Sequence, residues 1–239
     1  MFSGLFNLAV TDRAHLDPQL PEFLRLFRVD LVLDVGANTG AFAQELLAAG
    51  YSGRIVSFEP LTKAHADLVA ASSENPRWIA AERCALGAGR SRQTIHIAGN
   101  LESSSLLEML PAHLRAAPRS RYVGSETVPV FTLDEIAANH VEAATSPFLK
   151  IDAQGFEDQV LQGAAALLPR ITGLQVEMAL VPLYEGGPLF EPLLARINSL
   201  GFELWWLQPG FTDPETGRAL QLDAIFFRQR ELEPRHPAA

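Results

Sequence analysis

A short apolar run, Leu31-Val32-Leu33-Asp34-Val35, passes directly into Gly36-Ala37-Asn38-Thr39-Gly40 and then into a segment with helical spacing, Ala41 to Ala49. An apolar run that ends in glycine is the form of a parallel strand covered on both faces. Phe42 and Leu46 mark the inward stripe of the helix, and Gly50 closes it. A strand that feeds a helix through a glycine turn is the repeating unit of an open α/β sheet, where ligands bind beyond the carboxyl ends of the strands.

The remainder of the chain repeats that unit. Arg54 to Phe58 reads as a second strand with Glu59 at its tip, followed by a helix from Thr62 to Ser72 and a third strand from Trp78 to Ala81. Phe148 to Ile151 is the expected fourth strand, ending in Asp152, and Leu174 to Val176 the fifth, ending at Glu177. A helix from Glu157 to Leu168 should stop at Pro169, and one from Pro188 to Leu200 is closed by Gly201. Phe202 to Leu207 and Leu222 to Phe227 are joined by too few residues for a crossover helix, so they should pair antiparallel. The expected fold is α/β: a Rossmann-like, mostly parallel sheet with a C-terminal antiparallel hairpin and helices on both faces.

Between the third and fourth strands the pattern changes. Gln93 to Ile97 and Thr127 to Phe131 alternate polar and apolar residues, as half-buried strands do. Residues 98–125, irregular from Asn100 to Gly124, read as an insertion at the ligand-binding edge. Thr132 should cap a short helix, with Glu135 as its capping-box partner. No repeat, low-complexity tract or linker interrupts the chain, so residues 1–239 read as one domain, with 1–30 as an N-terminal segment packing on the core. Met1 to Val10 are apolar but far too few to span a bilayer, which takes about 20 residues.

The glycine loop discriminates between cofactors. A dinucleotide fingerprint, Gly-x-Gly-x-x-Gly, seats a pyrophosphate on the helix N-terminus. Counted from Gly36, the later glycine positions hold Asn38 and Ala41, so that pattern fails twice. Asp34 would add negative charge beside a pyrophosphate, whereas it suits the cationic amino end of S-adenosylmethionine, directly or through water. Glu59 lies nineteen residues beyond Gly40 and can accept hydrogen bonds from both hydroxyls of a ribose, a role shared by both cofactor types.

The net charge of -9 sets aside a broad nucleic-acid footprint, since phosphate binding draws on clustered Lys and Arg. Arg115, Arg119 and Arg121 are the densest basic group, read as a solvated face with an anionic substrate as the alternative. Cys84 is the only cysteine, which rules out an intrachain disulfide and fits a reducing, cytoplasmic setting.

The blocks Asp34-Val35-Gly36-Ala37-Asn38-Thr39-Gly40, Ser57-Phe58-Glu59-Pro60 and Phe148-Leu149-Lys150-Ile151-Asp152 together resemble, in order and spacing, the FkbM family of methyltransferases. Ala85-Leu86-Gly87, Ser104-Ser105-Leu106, Thr132-Leu133-Asp134 and Gly155-Phe156-Glu157 are similar to further blocks of that family. The resemblance runs from about Leu31 to Phe227 and implies a methyltransferase sheet, S-adenosylmethionine as cofactor, and O-methylation of a hydroxyl on a sugar or a glycosylated or secondary metabolite. The expected cofactor-binding set is Asp34, Gly36, Asn38, Thr39, Gly40, Glu59, Ala85 and Asp152. The family usually carries glutamate where this chain has Gln154, so no role of that carboxylate transfers.

An alcohol becomes a good nucleophile when a neighbouring group accepts its proton, worth about 10²- to 10⁴-fold. Asp152 and Glu177 end adjacent strands and are the expected catalytic pair, Asp152 as base or orienting group and Glu177 as its helper. Pairing of Asp152 with Lys150 is the competing reading, and Glu157 should serve the start of a helix. Asp152 and Glu177 as ligands of a divalent cation such as Mg²⁺ form a weaker alternative. His96 is a secondary candidate base, while His65 and His140 fall on surface helices or their ends. Ser103, Ser104 and Ser105 are candidate hydrogen-bond donors to cofactor or acceptor, with a turn free of ligand contacts as the alternative. At most one of Trp205 and Trp206 can line the site, and Tyr184 is a candidate for the acceptor wall. Other functional classes left open are a cofactor-binding but catalytically degenerate module, an NAD-dependent oxidoreductase, and a methyltransferase acting on protein.

Overall fold

The computed structural model describes residues 16–229; the expected packing of Met1 to Val10 lies outside them. In chain order the elements are α1 (Leu20–Leu26), β1 (Leu31–Val35), α2 (Ala41–Ala48), β2 (Arg54–Phe58), α3 (Thr62–Ser72), β3 (Trp78–Ala80), β4 (Ala85–Leu86) and β5 (Ser91–Ala98). The insertion contributes α4 (Pro111–Ala116), and β6 (Tyr122–Phe131), α5 (Leu133–Ile136), α6 (Ala138–Glu142) and β7 (Pro147–Ile151) follow. The last third holds α7 (Glu157–Gln162), β8 (Gly173–Ala179), α8 (Phe190–Ser199), β9 (Phe202–Pro209) and β10 (Gln221–Arg228).

The main sheet has the order β3-β2-β1-β7-β8-β10-β9. Strands β3, β2, β1, β7 and β8 are parallel, whereas β10 is antiparallel to both β8 and β9. The hairpin therefore closes one end of the sheet, with β10 paired to β8 and β9 as the outer edge strand. Side-chain alternation divides the core in two. Leu31, Leu33 and Val35 face Val160, Leu161, Leu193 and Ile197 of α7 and α8. Val32, Ile55 and Phe148 face Leu20 and Leu24 of α1, Phe42 and Leu46 of α2, and Leu68 of α3. On that second face Phe27 stacks on Phe227 with ring centroids 3.8 Å apart.

Three expectations need correction. The half-buried strands near the insertion form a separate three-stranded sheet, β4-β6-β5, and β6 runs back to Tyr122, inside the span read as insertion. The helix from Glu157 ends at Gln162, not Leu168, because Gly163 packs so closely on Gly87 that an added Cβ would lie 2.0 Å from Gly87 O. The chain then turns, with the Asp134 carboxylate accepting from Ala166 N and Leu167 N at 2.9 and 3.0 Å. Finally, β8 continues to Ala179 because β10 pairs with it that far, so Glu177 lies within a strand rather than at its tip. The capping box of Thr132 and Glu135 forms as expected.

Candidate active site

A cavity of about 860 Å³ opens at the carboxyl ends of β1, β2, β7 and β8, roofed by the insertion. The turn after β1 forms its floor. Gly36 has φ 74°, and a Cβ there would lie 1.8 Å from Asp152 O, so only glycine lets the loop lie against the end of β7. Asn38 is also left-handed, with φ 49°, and its N–H donates to Glu59 Oε2 at 2.8 Å. The other Glu59 oxygen accepts from Leu61 N at 2.9 Å. Burial pushes the Glu59 carboxyl up to about 7, against the lowering effect of those two backbone donors. Asn38 Oδ1 is buried without a hydrogen-bond partner among the described residues.

Gly36, Asn38, Thr39, Glu59, Ala85 and Asp152 all line this cavity, as do Ser103, Ser104 and Ser105. Two members of the expected cofactor set do not. Gly40 turns away, because a Cβ on it would sit 2.6 Å from the Trp78 ring; its φ of 92° starts α2 and admits that ring. Asp34 is fully buried and engaged below the floor. Lys150 Nζ lies 3.1 Å from Asp34 Oδ1, Ser57 Oγ donates to Asp34 Oδ2 at 2.9 Å, and Trp78 Nε1 donates to Ser57 Oγ at 3.0 Å. Strand register sets Ser57, Asp34, Lys150 and Gln175 side by side, a polar row across the sheet. Burial disfavours the Lys150 ammonium, yet Asp34 and Asp152 outweigh that and raise its pKa, so it stays charged.

Asp152 and Glu177 converge. Gln154 Nε2 donates to Asp152 Oδ1 at 2.8 Å and to Glu177 Oε2 at 2.7 Å, and Gln221 Nε2 donates to the same Glu177 oxygen at 2.9 Å. Asp152 Oδ2 lies 3.8 Å from Lys150 Nζ, so the competing Lys150 contact is present but long. Burial, then Asp152 and Asp223, raise Glu177 well above the usual carboxylate range. Glu157 opens α7, as expected, but folds back to accept from Ala153 N at 3.2 Å and Gly155 N at 3.0 Å. As a cation site the pair does not fit: an amide nitrogen with two protons occupies the point where the two carboxylates meet. Among the described residues no group of three or more His, Cys, Asp or Glu is placed to hold a metal.

The remaining candidates separate clearly. His96 does not line the cavity; it stacks on Tyr122 at 4.8 Å, with Nε2 3.3 Å from Glu108 Oε1. His65 Nε2 lies 2.8 Å from Ala81 O, and His140 sits on α6. The serine hydroxyls tie the roof together, Ser104 to Leu101 O at 2.6 Å and Ser105 to Gln154 O at 2.7 Å. Neither tryptophan reaches the cavity. A bulge in the β9–β10 ladder at Trp205 breaks strict alternation, and both indoles approach Phe23 of α1, at 6.0 and 6.4 Å. Tyr184 stands one layer behind the wall, its hydroxyl 2.6 Å from Gln154 Oε1 and 3.1 Å from Ser103 O.

Sequence reasoning missed several lining residues. Buried His113 of α4 packs on Tyr184 and Phe211, at 5.2 and 5.0 Å, and burial pushes its pKa down to about 4. Gln175, Gln208, Phe211, Gln221 and Asp223 come from β8 and the hairpin. Of the basic group already noted, Arg119 lines the cavity, unlike Arg115 and Arg121. Only His113 and Arg119 lay in a segment already marked as ligand-facing; Gln175 depends on the β7–β8 register and the others on the hairpin that carries β10.

Residues 34–204 match the family model described as methyltransferase FkbM domain, well over half of the chain. The chain belongs to the FkbM methyltransferase family. Solved structures similar to this FkbM-family protein include a TehB-like SAM-dependent methyltransferase from Corynebacterium glutamicum, at 12% identity and TM-score 0.42, covering 86% of each chain. A SAM-dependent methyltransferase from Aquifex aeolicus aligns at 11% identity and TM-score 0.43, over 89% of this chain and 94% of that one. Magnesium protoporphyrin IX methyltransferase from Synechocystis, with bound SAM, aligns at 10% identity and TM-score 0.45, over 88% and 77%. A comparison with curated proteins gives no match. No helix among the described residues is long and apolar enough to cross a membrane.

Proposed function

We propose that this FkbM-family chain transfers a methyl group from S-adenosylmethionine to a hydroxyl of a small molecule, a sugar or a glycosylated or secondary metabolite. The observation that carries the reading is the convergence of Asp152 and Glu177 on the same cavity as the glycine turn and Glu59. The cofactor fits the residues present. Glu59 keeps free lone pairs for two ribose hydroxyls, Asn38 Oδ1 awaits a donor, and Gly36 leaves its loop bare of side chain. Ala85 and Leu86 offer an apolar wall for the base. When bound, S-adenosylmethionine supplies a methyl carbon on a positive sulfur, so transfer to an oxygen breaks one C–S bond and forms one C–O bond.

The protein's part is to position the hydroxyl and take its proton. Asp152 is the group suited to accept it, because its side chain is 35% exposed and its Oδ2 accepts no hydrogen bond among the described residues, with Lys150 Nζ 3.8 Å away. Glu177, more deeply set and raised in pKa, orients the acceptor instead. His113, Gln208, Phe211 and Gln221 then line the acceptor's end of the cavity, a mixture of neutral polar groups and one ring face that suits a polyhydroxylated ring. The test is calorimetric titration with S-adenosylhomocysteine, S-adenosylmethionine and NAD, followed by a screen of sugars and glycosides for methyl transfer. Asp152→Ala should bind the sulfur cofactors as the wild type does and lose about 10²- to 10⁴-fold in turnover. Binding of NAD alone, or equal loss of cofactor binding in Asp152→Ala and Glu59→Ala, would overturn the assignment.

A further inference from the structure

Gln154 is held more firmly than an incidental loop residue. Its Oε1 meets the Tyr184 hydroxyl at 2.6 Å, which leaves Nε2 to face Asp152 and Glu177. The opposite amide orientation would crowd Oε1 against two carboxylate oxygens, so the network decides which way the amide points. Its backbone is fixed as well: φ is 49°, left-handed despite a Cβ, and its carbonyl accepts from Ser105 Oγ at 2.7 Å. The next residue, Gly155, is left-handed at φ 93°, and a Cβ there would lie 2.9 Å from Tyr184 Cβ.

We propose that Gln154 is a positioning residue that takes the place of a bridging divalent cation between Asp152 and Glu177. Two carboxylates converging on one point form half of a hard-cation site. The amide nitrogen satisfies both with its two protons and offers no lone pair to a metal, so it joins the pair and shuts a cation out of the same point. The carboxylates are thereby held at a set separation with their remaining lone pairs turned toward the acceptor. This inference rests on the acceptor lying beside Asp152, as proposed above, but metal binding is measured without acceptor or cofactor, so the two readings fail separately.

The experiment is titration of the full chain with Mn²⁺, followed by the electron paramagnetic resonance signal of the free aqueous ion. Wild-type protein should leave that signal undiminished. Gln154→Glu supplies a third carboxylate at the meeting point and should remove one equivalent of Mn²⁺ from solution with a Kd on the order of 10⁻⁴ M. Adding Asp152→Asn to that variant should restore the free-ion signal. Gln154→Ala, which clears the space without adding a ligand, should bind about ten-fold more weakly than Gln154→Glu yet more tightly than wild type. Circular dichroism reports whether each variant folds; if Gln154→Glu does not, the comparison of Gln154→Ala with wild type decides. Mn²⁺ binding by the wild type that Asp152→Asn removes would overturn the proposal. So would folded Gln154 variants that bind no more metal than wild type.

Discussion

Lowering the pH from about 8 to about 6 should weaken binding of S-adenosylhomocysteine about ten-fold, with Glu59 as the cause. Glu59 is only 5% exposed, and burial pushes its carboxyl up to about 7 although Asn38 N and Leu61 N both donate to it. An acid of that value is about nine-tenths ionised at the higher pH and about one-tenth at the lower. Ribose hydroxyls need a charged acceptor with free lone pairs, which the protonated form supplies poorly. If the ionised form alone binds, the loss is about 1.4 kcal/mol. The assay is calorimetric titration across this range for wild type and Glu59→Gln. The amide in the variant turns an N–H toward a backbone N–H and loses charge-assisted bonds worth about 1.5–3 kcal/mol each. It should therefore bind weakly at every pH and show no dependence on it. A flat wild-type profile, or a Glu59→Gln profile that keeps the ten-fold change, would refute the reasoning.

Other outcomes follow from the same geometry. Glu59 and Glu157 are both buried, and burial raises both to about 7, above their unfolded values. Their contribution to stability is therefore full in acid and is lost as pH rises through about 7, so the ligand-free protein should be more stable near pH 6 than near pH 8. The expected difference is about 1 kcal/mol per group, read by thermal denaturation, and Glu157→Gln should remove its share. Lys150→Met removes the cation beside fully buried Asp34 and leaves Ser57 Oγ as its side-chain partner among the described residues, at a cost of about 3–5 kcal/mol in urea unfolding. Asp34→Asn added to that variant should recover most of the loss. Gly36→Ala should abolish cofactor binding or folding, since its Cβ meets Asp152 O at 1.8 Å, whereas Gly50→Ala, with φ 89° and open space around it, should cost only about 1 kcal/mol of strain.

Much of the site was legible in the linear chain. The turn from Val35 to Ala41, Glu59 after β2 and Asp152 after β7 were all identifiable, because each depends on local order: an apolar run, a glycine, a polar residue at a strand's end. Glu157 and the Thr132 capping box were legible for the same reason, as start signals of helices. The misplaced candidates were those whose side-chain direction depends on distant partners: Asp34 is taken by Lys150 and Ser57, and Gly40 packs on Trp78. His96 and Tyr184 have suitable chemistry, yet Glu108 and Tyr122 engage one and Gln154 the other.

The period of two and the spacing of glycines determined the class of fold, the faces of each strand and the position of the cofactor turn, since these need only neighbours along the chain. Tertiary structure decided the rest, because hydrogen-bond ladders join residues that no local period relates. Register alone aligned Ser57, Asp34, Lys150 and Gln175, and so turned Asp34 from an expected ligand into the anchor of a buried cation. Insertion of β10 beside β8 brought Asp223 and Gln221 to Glu177. One bulge turned both tryptophans toward α1. The role of Gln154 emerged last, since an amide's function depends on which groups meet its two ends, here Tyr184 on one side and Asp152 with Glu177 on the other.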